Sequence, residues 1–79
     1  MPDTKSPISI LAETAGTLWK LVAQPGEMQV KDATLLIIES MKMEIPLEAQ
    51  SAGYIESYCV AEGEIVEEGQ VLGSFIPVA

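Results

Sequence analysis

The chain repeats itself at an offset of 37. Shifted by that interval, Ile8 falls on Ile45, Ile10 on Leu47, Ala12 on Ala49 and Gly16 on Gly53. The match continues through Leu18 on Ile55, Gly26 on Gly63, Glu27 on Glu64, Met28 on Ile65 and Leu35 on Leu72. Within 79 residues this leaves room for two copies of one motif. Each copy reads as an alternating strand, a turn closing on Gly16 or Gly53, a second strand, a Gly-Glu turn, a short third strand and a fourth. Glycines at 16, 26, 53, 63 and 69 suit turns, because they take positive φ without a Cβ clash.

Strands of this length joined by such turns imply an all-β sandwich or closed barrel of two quasi-twofold-related halves, each of about four strands. Neither half buries its apolar face alone, so the copies are expected to pack face to face about a pseudo-twofold axis. A single domain is expected over residues 8–79, preceded by a flexible N-terminal tail over 1–7. Aliphatic residues must supply the core, since the chain has one Trp, one Phe and two Tyr. Within Tyr58-Cys59-Val60, Cys59 reads as a packed strand residue.

The linker between copies holds Glu39-Ser40-Met41-Lys42-Met43-Glu44-Ile45-Pro46. Thr34 to Ile38 before it and the alternation Ile45, Leu47, Ala49 after it read as strands, so Lys42 falls on a tight, exposed turn. Lys42 plus the repeat interval is Ala79, which sets the symmetry partner of this turn at the chain ends. Lys42 is therefore expected at one end of the domain and both termini at the other. Two readings of the methionines stand side by side. Met41 and Met43 either fold back onto the barrel end as core filler or remain exposed as a recognised surface.

Charge narrows the function. A formal net charge of -8, with four lysines and no arginine, argues against nucleic acid and against an anionic membrane surface. An acidic surface serves solubility, or steers the domain to basic partners. No histidine is present to activate the single Cys59, no carboxylate pair has an obvious cleft, and no metal-ligand set is assigned, so a catalyst is disfavoured. One cysteine excludes an internal disulfide, and no apolar run reaches transmembrane length or forms a signal core at the N-terminus. A cytoplasmic location is the expectation.

The string from Glu39 to Pro46, in this two-copy setting, closely resembles the attachment sequence of biotinyl domains, the carrier modules of biotin-dependent carboxylases. It looks most like the biotin carboxyl carrier segments of acyl-CoA carboxylases and the small biotin/lipoyl attachment proteins, and the likeness runs from about Ile8 to Ile76. The resemblance implies a flattened eight-stranded barrel, a barrel-sandwich hybrid, with the modified lysine on a protruding hairpin. It implies that a biotin-protein ligase joins biotin to Lys42, and that Met41, Met43, Glu39 and Glu44 are read by that ligase. It further implies that the arm shuttles carboxyl groups between a biotin carboxylase and a carboxyltransferase, the domain itself catalysing neither reaction. The extra loop that some biotin carriers insert in the first half has no room at Ala23-Gln24-Pro25-Gly26.

Two positions depart from the commoner family pattern: Ser40 in place of alanine, and Asp32 where glycine is frequent and where the second half keeps Gly69. Asp tolerates left-handed backbone, so the turn at Asp32 is expected to survive. A lipoyl carrier is the nearest alternative. Lipoyl carriers typically place Asp before and Ala after the lysine, which Met41 and Met43 do not match. An unmodified acidic β interaction module is the alternative from another class, and predicts that Lys42 is dispensable. Lys5, Lys20 and Lys31 lack the methionine setting and are expected to stay unmodified.

Overall fold

The computed structural model describes residues 6–78. Most of the expected tail therefore lies outside the described residues; Ser6 and Pro7 are exposed and belong to no strand. Eight strands follow: β1 (Ile8–Leu11), β2 (Gly16–Leu21), β3 (Met28–Gln29), β4 (Thr34–Ser40), β5 (Met43–Glu48), β6 (Gly53–Tyr58), β7 (Ile65–Val66) and β8 (Val71–Pro77). They form two four-stranded sheets, ordered β1-β8-β6-β3 and β5-β4-β2-β7, with every pair antiparallel.

The pseudo-twofold reaches down to single hydrogen bonds. The N–H of Ala12 donates to the Gln70 carbonyl at 2.9 Å, and that of Ala49, its twin, to the Ala33 carbonyl at 2.8 Å. Asp32 and Gly69 donate to the carbonyls of Ala49 and Ala12, both at 2.8 Å, and Gly26 and Gly63 to those of Ile55 and Leu18 at 2.9 and 2.7 Å. Every one of these bonds crosses from one half to the other. The halves are thus interleaved, not stacked: each sheet takes two strands from each copy. This modifies the expected face-to-face packing of intact halves.

Between the sheets, Leu18, Leu36, Ile38, Ile55, Val66 and Leu72 are the largest fully buried side chains. The twins Leu18 and Ile55 form its centre. Gly16 and Gly53 turn out to serve proximity, not positive φ. A Cβ at Gly16 would overlap the Glu39 carbonyl, and one at Gly53 would overlap the Ile76 carbonyl and the Phe75 ring. The turn at Asp32 does need left-handed backbone, and Asp32 adopts it with φ 73°, beside 83° at Gly69. Cys59 departs from expectation. It follows the end of β6, is exposed, and its Sγ lies 3.2 Å from the Val71 carbonyl.

Tyr58 ties three segments together. Its hydroxyl donates to the Ala23 carbonyl at 2.7 Å and lies 3.3 Å from the Leu35 carbonyl. Burial pushes the phenol up to about 12 from 10.0. The folded state therefore holds the phenol proton more tightly than the unfolded chain does. The resulting stabilisation is complete below pH 10 and is lost as the pH rises from 10 towards 12. The urea resistance of the wild type should fall between pH 10 and 12 more steeply than that of Tyr58→Phe, which should itself lose about 1 kcal/mol at neutral pH. Parallel pH dependences in the two proteins would show that Tyr58 carries none of the alkaline instability.

Candidate functional site

β4 and β5 form a hairpin whose last pair is Ser40 with Met43, so that Met41 and Lys42 alone make the turn. Both have positive φ, 51° at Met41 and 67° at Lys42. This is the backbone of a type I′ turn, whose twist matches that of the strands and which ordinarily calls for Asn-Gly. A side chain in left-handed backbone costs roughly 1–2 kcal/mol. The fold thus holds Lys42 in a conformation its own residue type disfavours, and the six cross-strand pairs from Thr34–Glu48 to Ser40–Met43 supply the restraint. The double variant Met41→Asn, Lys42→Gly should therefore be stabilised by about 2 kcal/mol. A thermal melt should read this as a rise on the order of 10 °C. An unchanged midpoint would mean that the turn stores no strain.

The methionines do not fold back. Met41 is 92% exposed and Met43 65% exposed. Met43 shares its strand parity with Ile45 and Leu47, which are partly buried, but lies past the last layer of the core. Lys42 is exposed with them. One rung below, Glu39 pairs directly with Glu44, and both are exposed. Like charges facing each other across strands are destabilising. The structure thus brings Lys42, Met41, Met43, Glu39 and Glu44 together at one hairpin tip. Pro46 lies on β5, which pairs only with β4, and so removes no ladder bond on its free edge.

The register also separates this tip from Ile8 and Pro77, which open the first strand and close the last. β4 carries Ser40 to the end where Gly16 and Thr17 begin β2 and pair with Val66 and Ile65. β8 carries Pro77 to the end shared by Gly53, Gln29 and Ile8. The first copy leads from one end to the other between Gly16 and Gln29.

A family model described as biotin-requiring enzyme matches residues 3–75. The chain belongs to this family and is a biotinyl domain. The biotinyl domain is 38% identical over 65 residues to the biotin/lipoyl attachment protein of Bacillus subtilis (strain 168), covering 82% of this chain and 89% of that protein. It is 36% identical over 81 residues to the biotin carboxyl carrier protein of acetyl-CoA carboxylase from Cyanidium caldarium, covering 94% of this chain and 53% of that one. A solved single-chain, multi-domain long-chain acyl-CoA carboxylase contains a region that superposes with a TM-score of 0.84 at 31% identity, over 90% of this chain and 7% of that chain. The biotinyl domain therefore spans most of a small attachment protein and a small fraction of the carboxylase.

Sequence reasoning located every residue of the tip but missed the backbone that holds it. Neither Met nor Lys signals positive φ. The sequence leaves six residues, Glu39 to Glu44, between the two strand patterns, so the two-residue turn is legible only in the register.

Proposed function

We propose that Lys42 is the covalent attachment point for biotin and that the domain, residues 8–79, is the biotin carboxyl carrier of an acyl-CoA carboxylase. The observation that carries this reading is the display of one lysine in a restrained type I′ turn, exposed between two exposed methionines. The tip is an open, exposed hairpin end, so a group carried there is held by a covalent bond to the lysine, and an amide is the bond an activated carboxyl forms with its amine. Free alkylammonium groups are poor nucleophiles at neutral pH. A biotin-protein ligase must therefore supply an activated acyl donor and remove the proton. The Lys42 nitrogen bonds the acyl carbon, the bond to the adenylate oxygen breaks, and AMP leaves.

When bound, biotin supplies a ureido ring that accepts and gives up a carboxyl group. The chain supplies position. A stiff hairpin fixes the base of the arm, and amide formation removes the charge on Lys42, so the arm enters a foreign active site without desolvating an ammonium. A biotin carboxylase and a carboxyltransferase are the partners of this reading, in the cytoplasm. Confinement near both raises the effective concentration of the arm at each. Met41 and Met43 give the ligase two polarizable contacts on either side of the nitrogen, with Glu39 and Glu44 as the charged contacts beneath.

Parallel incubation of the purified chain with a biotin-protein ligase plus biotin, and with a lipoate-protein ligase plus lipoate, tests the assignment. Biotin should be incorporated and lipoate should not. Lipoylation alone would reassign the domain to lipoyl transfer.

A further inference from the structure

The twofold supplies an internal reference for the outer faces of the two sheets. Across the middle of the β1-β8-β6-β3 sheet, Ser9, Ser74 and Ser57 form one cross-strand row. Across the other sheet, the equivalent row is Pro46, Ile37 and Lys20. Each sheet also has a bulge at the matching place, where one residue loses its partner: Glu56 in β6 and Trp19 in β2. Bulges re-aim side chains. Glu56 accepts a hydrogen bond from the Ser74 hydroxyl at 2.6 Å, so the middle of this face is polar, although the paired Leu11 and Val71 are half-exposed beyond it. Trp19 is 46% exposed and has Lys20 5.9 Å from its ring. One fold thus presents serines and a carboxylate on one side, and Trp, Ile and Pro at the same positions on the other.

The sheet with the apolar middle, Trp19, Ile37 and Pro46, is the one that carries Lys42. Ile37 is three residues from Ser40 and so lies about 10 Å below the turn. Between them the row Glu44, Glu39, Thr17 and Ile65 crosses the sheet, with Ile65 80% exposed. Glu48 extends the carboxylates along β5. An apolar centre with an aromatic anchor and a charged rim has the anatomy of an interface core, and Trp is enriched among residues that dominate binding energy. Glu39, Glu44 and Glu48 outnumber Lys20 around this centre, so the complementary surface is predominantly basic.

We infer that the outer face of the β5-β4-β2-β7 sheet, anchored by Trp19 with Ile37 and Pro46, is the docking surface for the enzyme that acylates Lys42. This rests on the assignment of Lys42 as the attachment site. The unmodified lysine has only its own four-carbon stem. The acylating enzyme must therefore lie against the hairpin and the sheet surface that continues it. A face within about 10 Å of the turn falls under that enzyme.

The test is steady-state kinetics of biotin transfer by a purified ligase, with the carrier as varied substrate. Trp19→Glu installs the residue of the twin bulge on an exposed position, and thermal melts of each variant report folding. Trp19→Glu should raise the KM for the carrier ~10-fold or more with kcat little changed. Trp19→Phe should recover most of the loss, and Glu56→Ala on the opposite face should match wild type. A wild-type KM in folded Trp19→Glu overturns the docking face while leaving the Lys42 assignment intact. So does a KM raised equally by Glu56→Ala, normal biotinylation with lost carboxylation turnover, or wild-type self-association that Trp19→Glu abolishes. A wild-type chain that takes no biotin from a ligase active on a control substrate overturns both.

Discussion

Replacement of Lys42 by arginine should abolish biotin incorporation while leaving the fold untouched. Arginine keeps the length, the exposure and the positive charge that an interaction surface would use. Its guanidinium stays protonated in proteins and offers no amine to an acyl donor. Lys42 lies at an exposed turn outside the core, and surface substitutions of this kind usually stay within about 0.5 kcal/mol. The melting temperature should accordingly move by no more than about 4 °C. Lys42→Ala should behave alike. Full function with Lys42→Arg would instead support an unmodified interaction module, which needs the charge and not the nitrogen. Lys20 and Lys31 should not substitute: Lys20 sits over Trp19 in the sheet, and Lys31 belongs to the turn closed by the Ala33 N–H and the Val30 carbonyl.

Leu18→Asp should leave no cooperative unfolding transition at all. Leu18 has no exposed surface, lies on the inner face opposite Ile38, and receives the Gly63 N–H at its carbonyl at 2.7 Å. A carboxylate there has no partner. Leaving a buried charge uncompensated costs roughly 3–5 kcal/mol. A core this small rarely supplies more than about 3–5 kcal/mol in total. Ile55→Asp, at the twin position and equally buried, should unfold the chain to the same degree. Ile65→Asp, at an exposed position of β7, is the control and should retain a cooperative melt. A transition for Leu18→Asp near that of wild type would show that the two halves do not share one core.

The two experiments bear on different levels of legibility. The repeat made the strand count, the hairpin and the pairing of core twins such as Leu18 and Ile55 readable, because β alternation and turn residues are local signals. Local signals do not say which strand a given edge will meet. The exchange of strands between halves is set by long-range backbone pairing, and so the halves were expected to stack intact. Gly16 and Gly53 look the same in sequence as Gly69, yet only the last is used for positive φ. The role of the other two depends on a carbonyl from a distant strand. Cys59 is a further case in which a local signal falls short: alternation places it on a strand, but β6 ends at Tyr58.

At the site, Lys42 and its neighbours were readable from spacing and resemblance. The type I′ backbone was not, because residue preference argues against it. The contrast between Trp19 and Glu56 was in the sequence all along as a mismatch in the repeat. Only the sheet registers show that both occupy bulges on outer faces and that the Trp19 face leads to the lysine.

The central claim is that Lys42 carries biotin. Intact mass followed by peptide mapping, on chain co-expressed with a biotin-protein ligase and biotin, addresses it most directly. A single biotin-sized increment confined to the peptide containing Lys42 is the predicted result. An unmodified chain, or an increment on the peptide of Lys20 or Lys31, obtained with a ligase active on a control substrate, would contradict it.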